Sequence, residues 1–222
     1  MKIFAIVPVK SFERGKSRLA SILDVVKRVK LCELLLDDTL TTLHNAYAIS
    51  EVVVVSSDRR AHLISEKHGA RFLKEYEEGG VNKAVAIADS YCSNAGADAT
   101  IVIPQDLPLL VPYDINMICE SAIGYDKYIA ICPSLRYDGS NALLRRPSML
   151  IETYYDNNSF DMHVKAAKEI GASLKIILSR RIMTDLDTIK DAENLMNERT
   201  MAKSVLYLRS QVKRNETSAN KA

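Results

Sequence analysis

The chain has 222 residues, of which 47% are hydrophobic, and its 30 Lys and Arg against 28 Asp and Glu give a formal net charge of +2 at pH 7. A chain of this length and composition can bury the core of one large domain. The near balance of charge leaves no overall field that would attract nucleic acid or an anionic membrane, so neither is expected as a partner.

Short apolar runs rich in β-branched residues alternate with longer stretches of helical periodicity. The predicted strands are Ile3–Val7, Val52–Ser56, Thr100–Ile103, Tyr128–Cys132 and Leu174–Leu178. The predicted helices are Val26–His44, Ala61–His68, Asn82–Ser93, Ile115–Ile123, Asp161–Ile170 and Thr188–Arg199. Strands that are apolar on both faces and alternate with helices indicate a parallel sheet covered on both sides. We predict a three-layer α/β/α sandwich around a Rossmann-like, mostly parallel sheet.

Residues 1–202 are expected to form a single domain, and residues 203–222 a C-terminal helix or a flexible tail. The apolar segment SVLYL near the C-terminus would suit a homodimer contact.

Several features bear on the compartment. The N-terminal segment MKIFAIVPVK lacks a small-residue cleavage site, which predicts no signal peptide. No run of about 20 apolar residues exists to span a bilayer. We expect a soluble, cytoplasmic protein. The cysteines show no CxxC spacing and the histidines are scattered, so we expect free buried thiols rather than a zinc site at Cys32, Cys92, Cys119 and Cys132.

Basic residues gather after the first predicted strand, where parallel sheets bind their ligands. The segment VPVKSFERGKSR contains Lys10, Lys16 and Arg18. A basic loop that leads into a helix suits a polyphosphate. Gly15-Lys16-Ser17 also resembles the end of a P-loop, but that motif needs a glycine where Lys10 stands. An ordinary solvated run of charges is the third interpretation.

One carboxylate stands between two prolines in the segment TIVIPQDLPLL. Pro104 and Pro108 have fixed φ angles, so Asp106 between them has little freedom. Mg²⁺ usually takes one or two carboxylates together with phosphate oxygens. Asp106 is therefore a candidate Mg²⁺ ligand, and the alternative is a turn aspartate that accepts hydrogen bonds from local amides.

Two more carboxylates follow the last predicted strand in the segment DLDT. Asp185 and Asp187 point the same way if the segment is extended, so both are candidate metal ligands. The alternative is that one of them, or Thr188, caps the helix that begins there.

Two further regions are polar without an obvious structural need. Gly79 and Gly80 let a ligand approach the backbone, and Asn82 can hydrogen-bond a base edge, with helix capping as the alternative. The segments DGSNALLRRP and YYDNNSFDMH offer residues suited to a small anion, namely Ser140, Arg145, Ser159 and His163. For His163 the alternative is a surface position on an amphipathic helix.

Six segments of the chain together resemble the 2-phospho-L-lactate guanylyltransferases of coenzyme F-420 biosynthesis. They are VPVKSFERGKSRLA, GGVNKA, VIPQDLPLL, GSNALL, SFDMH and TDLDTIKDAENL, they occur in family order, and they span residues 6–195. The wider superfamily is that of the glycosyltransferase-A-like nucleotidyltransferases, which include the molybdenum-cofactor guanylyltransferases. The resemblance implies a fold of the nucleotide-diphospho-sugar transferase type.

The resemblance also implies roles for individual residues. Divalent metal, expected to be Mg²⁺, would bind to Asp106, Asp185 and Asp187. Nucleotide contacts are expected at Pro8, Val9, Lys10, Lys16, Ser57, Gly79, Gly80, Asn82, Pro104 and Asp106. The acceptor is expected near Ser140 and Ser159. Relatives often have Phe-Gly-Pro-Gly-Ser where this chain has Tyr155-Asp156-Asn157-Asn158-Ser159, so both glycines beside Ser159 are absent.

The implied reaction transfers GMP from GTP to 2-phospho-L-lactate, giving lactyl-2-diphospho-5'-guanosine and pyrophosphate. A phosphate monoester has a second pKa of about 6, so it is largely dianionic and can attack the α-phosphorus without a general base. Mg²⁺ and the expected catalytic residues Lys10, Lys16, Arg18 and Asp106 would offset the repulsion between two polyanions. The alternatives are a related nucleotidyltransferase that uses phosphoenolpyruvate or another nucleotide or acceptor, a P-loop NTPase, and a non-catalytic nucleotide-binding module.

Overall fold

The computed structural model of the chain describes residues 1–156 and 158–219. In chain order its elements begin with β1 (Ile3–Val9), α1 (Val25–His44), β2 (Glu51–Ser56), α2 (Arg59–Lys67), β3 (Arg71–Lys74), α3 (Gly80–Asn94), β4 (Ala99–Val102) and α4 (Pro112–Glu120). They continue with β5 (Tyr128–Pro133), β6 (Ser140–Arg146), α5 (Ser159–Glu169), β7 (Ser173–Ile176), α6 (Arg180–Met183), α7 (Ile189–Met196) and α8 (Lys203–Ala219). A short 3-10 helix over Ser17–Leu19 precedes α1.

The strands form one sheet in the order β3-β2-β1-β4-β6-β5-β7. Each neighbouring pair is parallel, except that β6 runs antiparallel to both β4 and β5. This confirms the predicted mostly parallel sheet. The carboxyl ends of the parallel strands meet at one edge, and the start of β6 lies at that same edge.

The core occupies both faces of the sheet, because successive side chains of a strand point to opposite sides. Val7 of β1 belongs to the same apolar cluster as Leu36 of α1 on one face. Ile6 belongs to a cluster with Val85 of α3 on the other face. Burial of one such side chain contributes about 1.5–3 kcal/mol to folding. The three layers are those that the sequence predicts.

The sequence analysis did not predict two of the strands, β3 and β6, and each omission has a local reason. β3, with the sequence RFLK, is a half-exposed edge strand and lacks an apolar run. β6, with the sequence SNALLRR, is buried over most of its length, but its Ser140 and Arg145 were interpreted as anion-binding residues. The predicted strand Leu174–Leu178 is observed as β7, which begins one residue earlier and ends at Ile176.

The C-terminal segment is helical over Lys203–Ala219, while residues 220–222 lie outside the described ranges. Val205 and Leu208 of α8 are fully buried. The Asp38 carboxylate of α1 accepts hydrogen bonds from the backbone nitrogens of Lys203 at 3.1 Å and Ser204 at 2.9 Å, and from the Ser204 hydroxyl at 2.6 Å. A carboxylate of one helix therefore caps the first turn of another.

Replacing Asp38 by Ala should lower the free energy of unfolding by about 1 kcal/mol, the usual loss when a helix N-cap is removed. Urea denaturation would measure the difference. Glu66→Ala is a suitable control, because the Glu66 side chain is 61% exposed in a surface pair with His62. That replacement should change the free energy by less than about 0.5 kcal/mol. Equal losses in the two variants would contradict the capping role of Asp38.

Two other expectations can be compared with the structure. In the described part of the chain, no helix is long and apolar enough to cross a bilayer. All four cysteines are buried and none forms a disulfide, which confirms the prediction of free buried thiols. Burial raises the pKa of the Cys132 thiol to about 11, so this thiol stays protonated at neutral pH.

Candidate functional site

The candidate site lies at the edge where the parallel strands end. β1 leads into the basic loop, β4 leads into the Pro104–Asp106 turn, and the segment around Asp185 follows α6. The backbone nitrogen of Leu186 donates to the carbonyl oxygen of Asp106 at 3.0 Å, which ties the two acidic segments together. The fold thus brings the predicted acidic residues and the predicted basic loop to one place.

Lys16 sits between two of the predicted metal ligands. Its backbone has φ +50°, in the left-handed region. Its Nζ lies 2.6 Å from the Asp106 Oδ2 and 2.9 Å from the Asp187 Oδ1. Burial would lower the pKa of Lys16, but the adjacent Asp106 and Asp187 carboxylates raise it above its ordinary value. The ammonium therefore stays charged and offsets part of the negative charge of the two carboxylates.

The basic loop does not have the geometry of a P-loop. It leads into the three-residue 3-10 helix rather than into an α-helix, and Lys16 turns toward carboxylates. Lys10 is exposed. Arg18 is also largely exposed, with its guanidinium 3.7 Å from the Asp187 Oδ2. Both side chains remain accessible to a ligand at the strand ends.

The DLDT segment keeps both of its aspartates available. Thr188 caps α7, and its hydroxyl accepts from the backbone nitrogen of Asp191 at 3.3 Å, so neither Asp185 nor Asp187 is the cap. Asn141 donates to the Asp185 carboxylate at 3.4 Å. Burial, and then the negative charges of Asp106 and Asp187, raise the pKa of Asp185 to about 6.

The three aspartates fit a divalent cation by their chemistry. Among the described residues, no group of three or more His, Cys, Asp or Glu side chains converges closely enough to hold a metal ion as it stands. The Lys16 ammonium lies between Asp106 and Asp187 instead. Burial, and then the negative charges of Asp106 and Asp187, raise the pKa of Asp185, and a hard cation with oxygen ligands would offset both effects.

Arg136 is a site residue that the sequence prediction missed. It lies in the turn between β5 and β6, and its guanidinium is 3.5 Å from both Asp138 and Asp185 and 3.7 Å from Asp191. Its position in a polar turn directly after an apolar strand was the available signal. Positive charge therefore flanks Asp185 on this side, in addition to the first loop.

The predicted nucleotide contacts are distributed along the same edge. Pro8 and Val9 are buried in β1, and Pro104 follows the apolar residues at the end of β4. Ser57 donates to the Glu78 Oε1 at 2.6 Å, and the same oxygen accepts from the backbone nitrogen of Ser11 at 3.0 Å. Glu78 thereby connects the end of β2, which Ser57 follows, to the loop after β1.

The glycine turn before α3 is joined to the segment before α5. Gly80 has φ +83°, which favours glycine, and the backbone nitrogen of Gly79 donates to Glu75 at 3.0 Å. Asn82 accepts from the backbone nitrogen of Tyr155 at 2.8 Å and donates to Asp156 at 3.0 Å. Asn82 therefore holds a loop instead of capping its own helix.

Arg145 does not lie with the anion-binding candidates, and we correct that prediction. Its side chain is 1% exposed and pairs with Asp89 of α3 through two hydrogen bonds, of 2.9 Å and 2.5 Å. A third bond of 3.0 Å goes to the Thr100 hydroxyl. The guanidinium is thus enclosed in the core, where no acceptor molecule can reach it.

Ser140, Ser159 and His163 come together, as the prediction grouped them. The hydroxyl oxygens of Ser140 and Ser159 are 3.2 Å apart, and the Ser140 Oγ is 2.9 Å from the His163 Nδ1. His163 is fully buried, so it is neither a surface residue nor a direct contact of a ligand. Burial, and to a lesser degree the charge of Arg145, lower the pKa of His163 to about 4.

The missing glycine before Ser159 is explained by the backbone. Asn158 stands where relatives often have the second glycine, and it adopts φ +47°. Asparagine tolerates the left-handed region better than most residues. The backbone nitrogen of Ser159 then donates to the Asp138 carbonyl oxygen at 2.9 Å, which joins α5 to the turn that carries Arg136.

Solved structures and curated sequences resemble this chain along most of its length. A protein of Desulfovibrio desulfuricans G20 assigned to the nucleotide-diphospho-sugar transferases superposes with a TM-score of 0.76 at 16% identity, covering 96% of this chain and 98% of that one. A cytidylyltransferase from Leptospira borgpetersenii superposes with a TM-score of 0.61 at 15% identity, covering 98% and 96%. These likenesses confirm the nucleotide-diphospho-sugar transferase type of fold.

The sequence comparisons are more specific. A phosphoenolpyruvate guanylyltransferase of Conexibacter woesei is 31% identical over 195 residues, or 88% of this chain and 87% of the relative. One of Rubrobacter xylanophilus is 33% identical over 88% of this chain and 94% of the relative. A 2-phospho-L-lactate guanylyltransferase of Methanothermobacter thermautotrophicus is 30% identical over 86% and 82%. Residues 1–222 match the profile of the family described as "Guanylyl transferase CofC like". The chain therefore belongs to the CofC-like family of guanylyltransferases.

Proposed function

We propose that this protein transfers GMP from GTP to a phosphorylated three-carbon acid and releases pyrophosphate. The observation that carries the proposal is the arrangement of Lys16 between Asp106 and Asp187, with Asp185 beside them, at the carboxyl edge of a nucleotidyltransferase sheet. Two polyanions can approach each other only where cations, including a metal ion held by carboxylates, offset their negative charge. Membership of the guanylyltransferase family supports guanine as the base.

The proposed reaction is a single displacement. An oxygen of the acceptor's phosphate forms a bond to the α-phosphorus of GTP, and the bond from that phosphorus to the oxygen bridging to the β-phosphate breaks. The electron pair of the broken bond leaves on pyrophosphate. No proton needs to be removed, since a phosphate monoester with a second pKa of about 6 is already largely dianionic.

The chain's own residues have distinct tasks in this proposal. Lys10 and Arg18 attract the phosphates of GTP to the first loop, and Lys16 keeps its charge at the point where the carboxylates meet. Asp106, Asp185 and Asp187 are the residues that would hold Mg²⁺. When bound, the ion would supply positive charge against the phosphate oxygens. Arg136 adds a cation on the other side of Asp185.

Two acceptors share the required chemistry, since each carries a phosphate ester next to a carboxylate. We propose phosphoenolpyruvate as the preferred acceptor. The Conexibacter and Rubrobacter relatives are named for it, and their sequence identity to this chain is slightly higher than that of the relative named for 2-phospho-L-lactate. Ser140 and Ser159 supply the side where either acid would sit. The product would enter coenzyme F-420 biosynthesis, as the resemblance implies.

Pyrophosphate release by the purified protein tests the proposal. Each of GTP, ATP, CTP and UTP would be supplied with Mg²⁺, alone and with each of the two acids. We expect release with GTP and with one acid in clear preference to the other.

Other patterns of release would contradict the proposal in different ways. Phosphate release from a nucleotide without any acceptor would indicate an NTPase. A protein that binds GTP but releases no pyrophosphate in any combination would be a binding module.

A further inference from the structure

A chain of hydrogen bonds runs from the segment before α5 to the hydroxyls at the acceptor side of the site. The backbone nitrogen of Tyr154 donates to the His163 Nε2 at 2.9 Å. The His163 Nδ1 is 2.9 Å from the Ser140 Oγ, which is 3.2 Å from the Ser159 Oγ. His163 is fully buried, and only 4% of Ser140 and 3% of Ser159 are exposed. Of these three side chains, only the two serines therefore keep any contact with solvent.

The backbone fixes which nitrogen of His163 carries the proton. A peptide N–H can only donate, so the Nε2 that faces Tyr154 must be the unprotonated nitrogen. The ring is neutral at physiological pH, since burial lowers the pKa of His163 to about 4. Its one proton therefore sits on Nδ1 and is donated to the Ser140 hydroxyl oxygen.

This tautomer changes the donor count of the serine pair. Ser140 accepts from His163, and one of the two serine hydroxyls donates to the other, so one hydroxyl proton has no acceptor among the residues that the structure describes. With the opposite tautomer Ser140 would donate to His163 and Ser159 would donate to Ser140, and no proton would remain. The peptide N–H of Tyr154 thus decides, through His163, whether the pair can offer a hydrogen bond.

We propose that His163 is a positioning residue, which orients the Ser140–Ser159 pair so that one hydroxyl proton is presented to a carboxylate or phosphate oxygen of the acceptor. This inference rests on the proposed function, and it deepens it by giving the acceptor side a defined donor. Two contacts place the pair at the site. Asn141, next in sequence to Ser140, donates to Asp185, and the Ser159 backbone nitrogen donates to Asp138 in the turn of Arg136.

Two amide replacements of His163 separate positioning from simple packing. An Asn side chain places its amide near the position of Nδ1, so His163→Asn keeps a donor for Ser140. A Gln side chain reaches the position of Nε2, so His163→Gln keeps an acceptor for Tyr154 and loses the donor. We expect His163→Gln to raise the KM for the acceptor by about tenfold or more, the usual effect of losing a hydrogen bond to a charged group. The KM for GTP should change less than about twofold, and His163→Asn should recover most of the loss.

A double variant provides the measurement that packing alone would not move. Ser140→Ala should raise the KM for the acceptor on its own, and adding His163→Gln to it should raise that KM no further, because His163 acts through Ser140. Additive effects, or an unchanged KM in His163→Gln, would overturn the proposal. His62→Gln on the surface of α2 serves as the control for a histidine replacement.

Nitrogen-15 NMR of the wild-type protein tests the chain of hydrogen bonds without any amino-acid replacement. The measurement therefore remains informative even if a His163 variant fails to fold. We expect the signals of a neutral His163 ring protonated on Nδ1, and we expect them to shift when phosphoenolpyruvate or 2-phospho-L-lactate is added with Mg²⁺. A ring protonated on Nε2, or one whose signals ignore both acids, would overturn the inference. An expected tautomer and a ligand-dependent shift in a protein that releases no pyrophosphate would leave the positioning intact and remove only the proposed transfer.

Discussion

Replacing Asp106 by Asn should lower the rate of pyrophosphate release by about 100- to 1000-fold, the usual cost of removing one preorganised electrostatic group. Asn has nearly the same shape as Asp but no charge. The change would leave the Lys16 ammonium, 2.6 Å away, with Asp187 alone, and it would remove a ligand of the proposed Mg²⁺. The kcat should carry the effect, and turnover with saturating GTP and acceptor would measure it.

The fold should tolerate this replacement. Asp106 is partly exposed, and the bond from the Leu186 backbone nitrogen reaches its carbonyl oxygen rather than its side chain. Circular dichroism and urea denaturation would establish that the variant is folded. Asp126→Asn, an exposed carboxylate in the loop before β5, is the matched control and should keep the wild-type rate. A folded Asp106→Asn protein with a near-normal rate would remove the central support for the proposed function.

Replacing Asp89 by Ala should lower the free energy of unfolding by about 3–5 kcal/mol, because it leaves the Arg145 guanidinium charged and unpaired inside the protein. The pair has side chains that are 1% and 8% exposed, for Arg145 and Asp89 respectively, and it is made by two hydrogen bonds. Water therefore cannot take the place of the lost carboxylate. Urea denaturation at constant pH would measure the loss.

The double variant Asp89→Leu with Arg145→Met distinguishes the pair from the rest of the packing. Apolar side chains of similar size often replace a buried ion pair at little cost, so the double variant should recover most of the stability. Since Arg145 is enclosed and does not contact the acceptor, the KM of the double variant for the acceptor should stay within about threefold of the wild-type value. A large rise in that KM, with the stability restored, would show that Arg145 contributes to binding of the acceptor.

The sequence alone determined the class of the fold. A strand whose side chains are apolar on both faces, such as Val52–Ser56, can be buried only in a sheet that helices cover on both sides. It also predicted that Asp106 and the DLDT segment would meet the basic loop at one edge of the sheet. In the structure both acidic segments lie against Lys16 there, although α6, which the sequence did not predict, stands between β7 and the DLDT segment. These inferences depend on local periodicity and on which edge a strand ends at, and both can be deduced from a sequence.

Only the tertiary structure decided which polar residues meet each other. Arg145 had the composition of an anion-binding residue, but its partner Asp89 lies 56 positions away on α3. His163 was likewise interpreted as a possible ligand contact, until the Tyr154 peptide and Ser140 were found to use both of its nitrogens. Arg136 was overlooked because its partners Asp185 and Asp191 are distant in sequence. Periodicity indicates that a side chain is buried, but the group that pairs with its charge or hydrogen bond depends on long-range packing, which no local pattern contains.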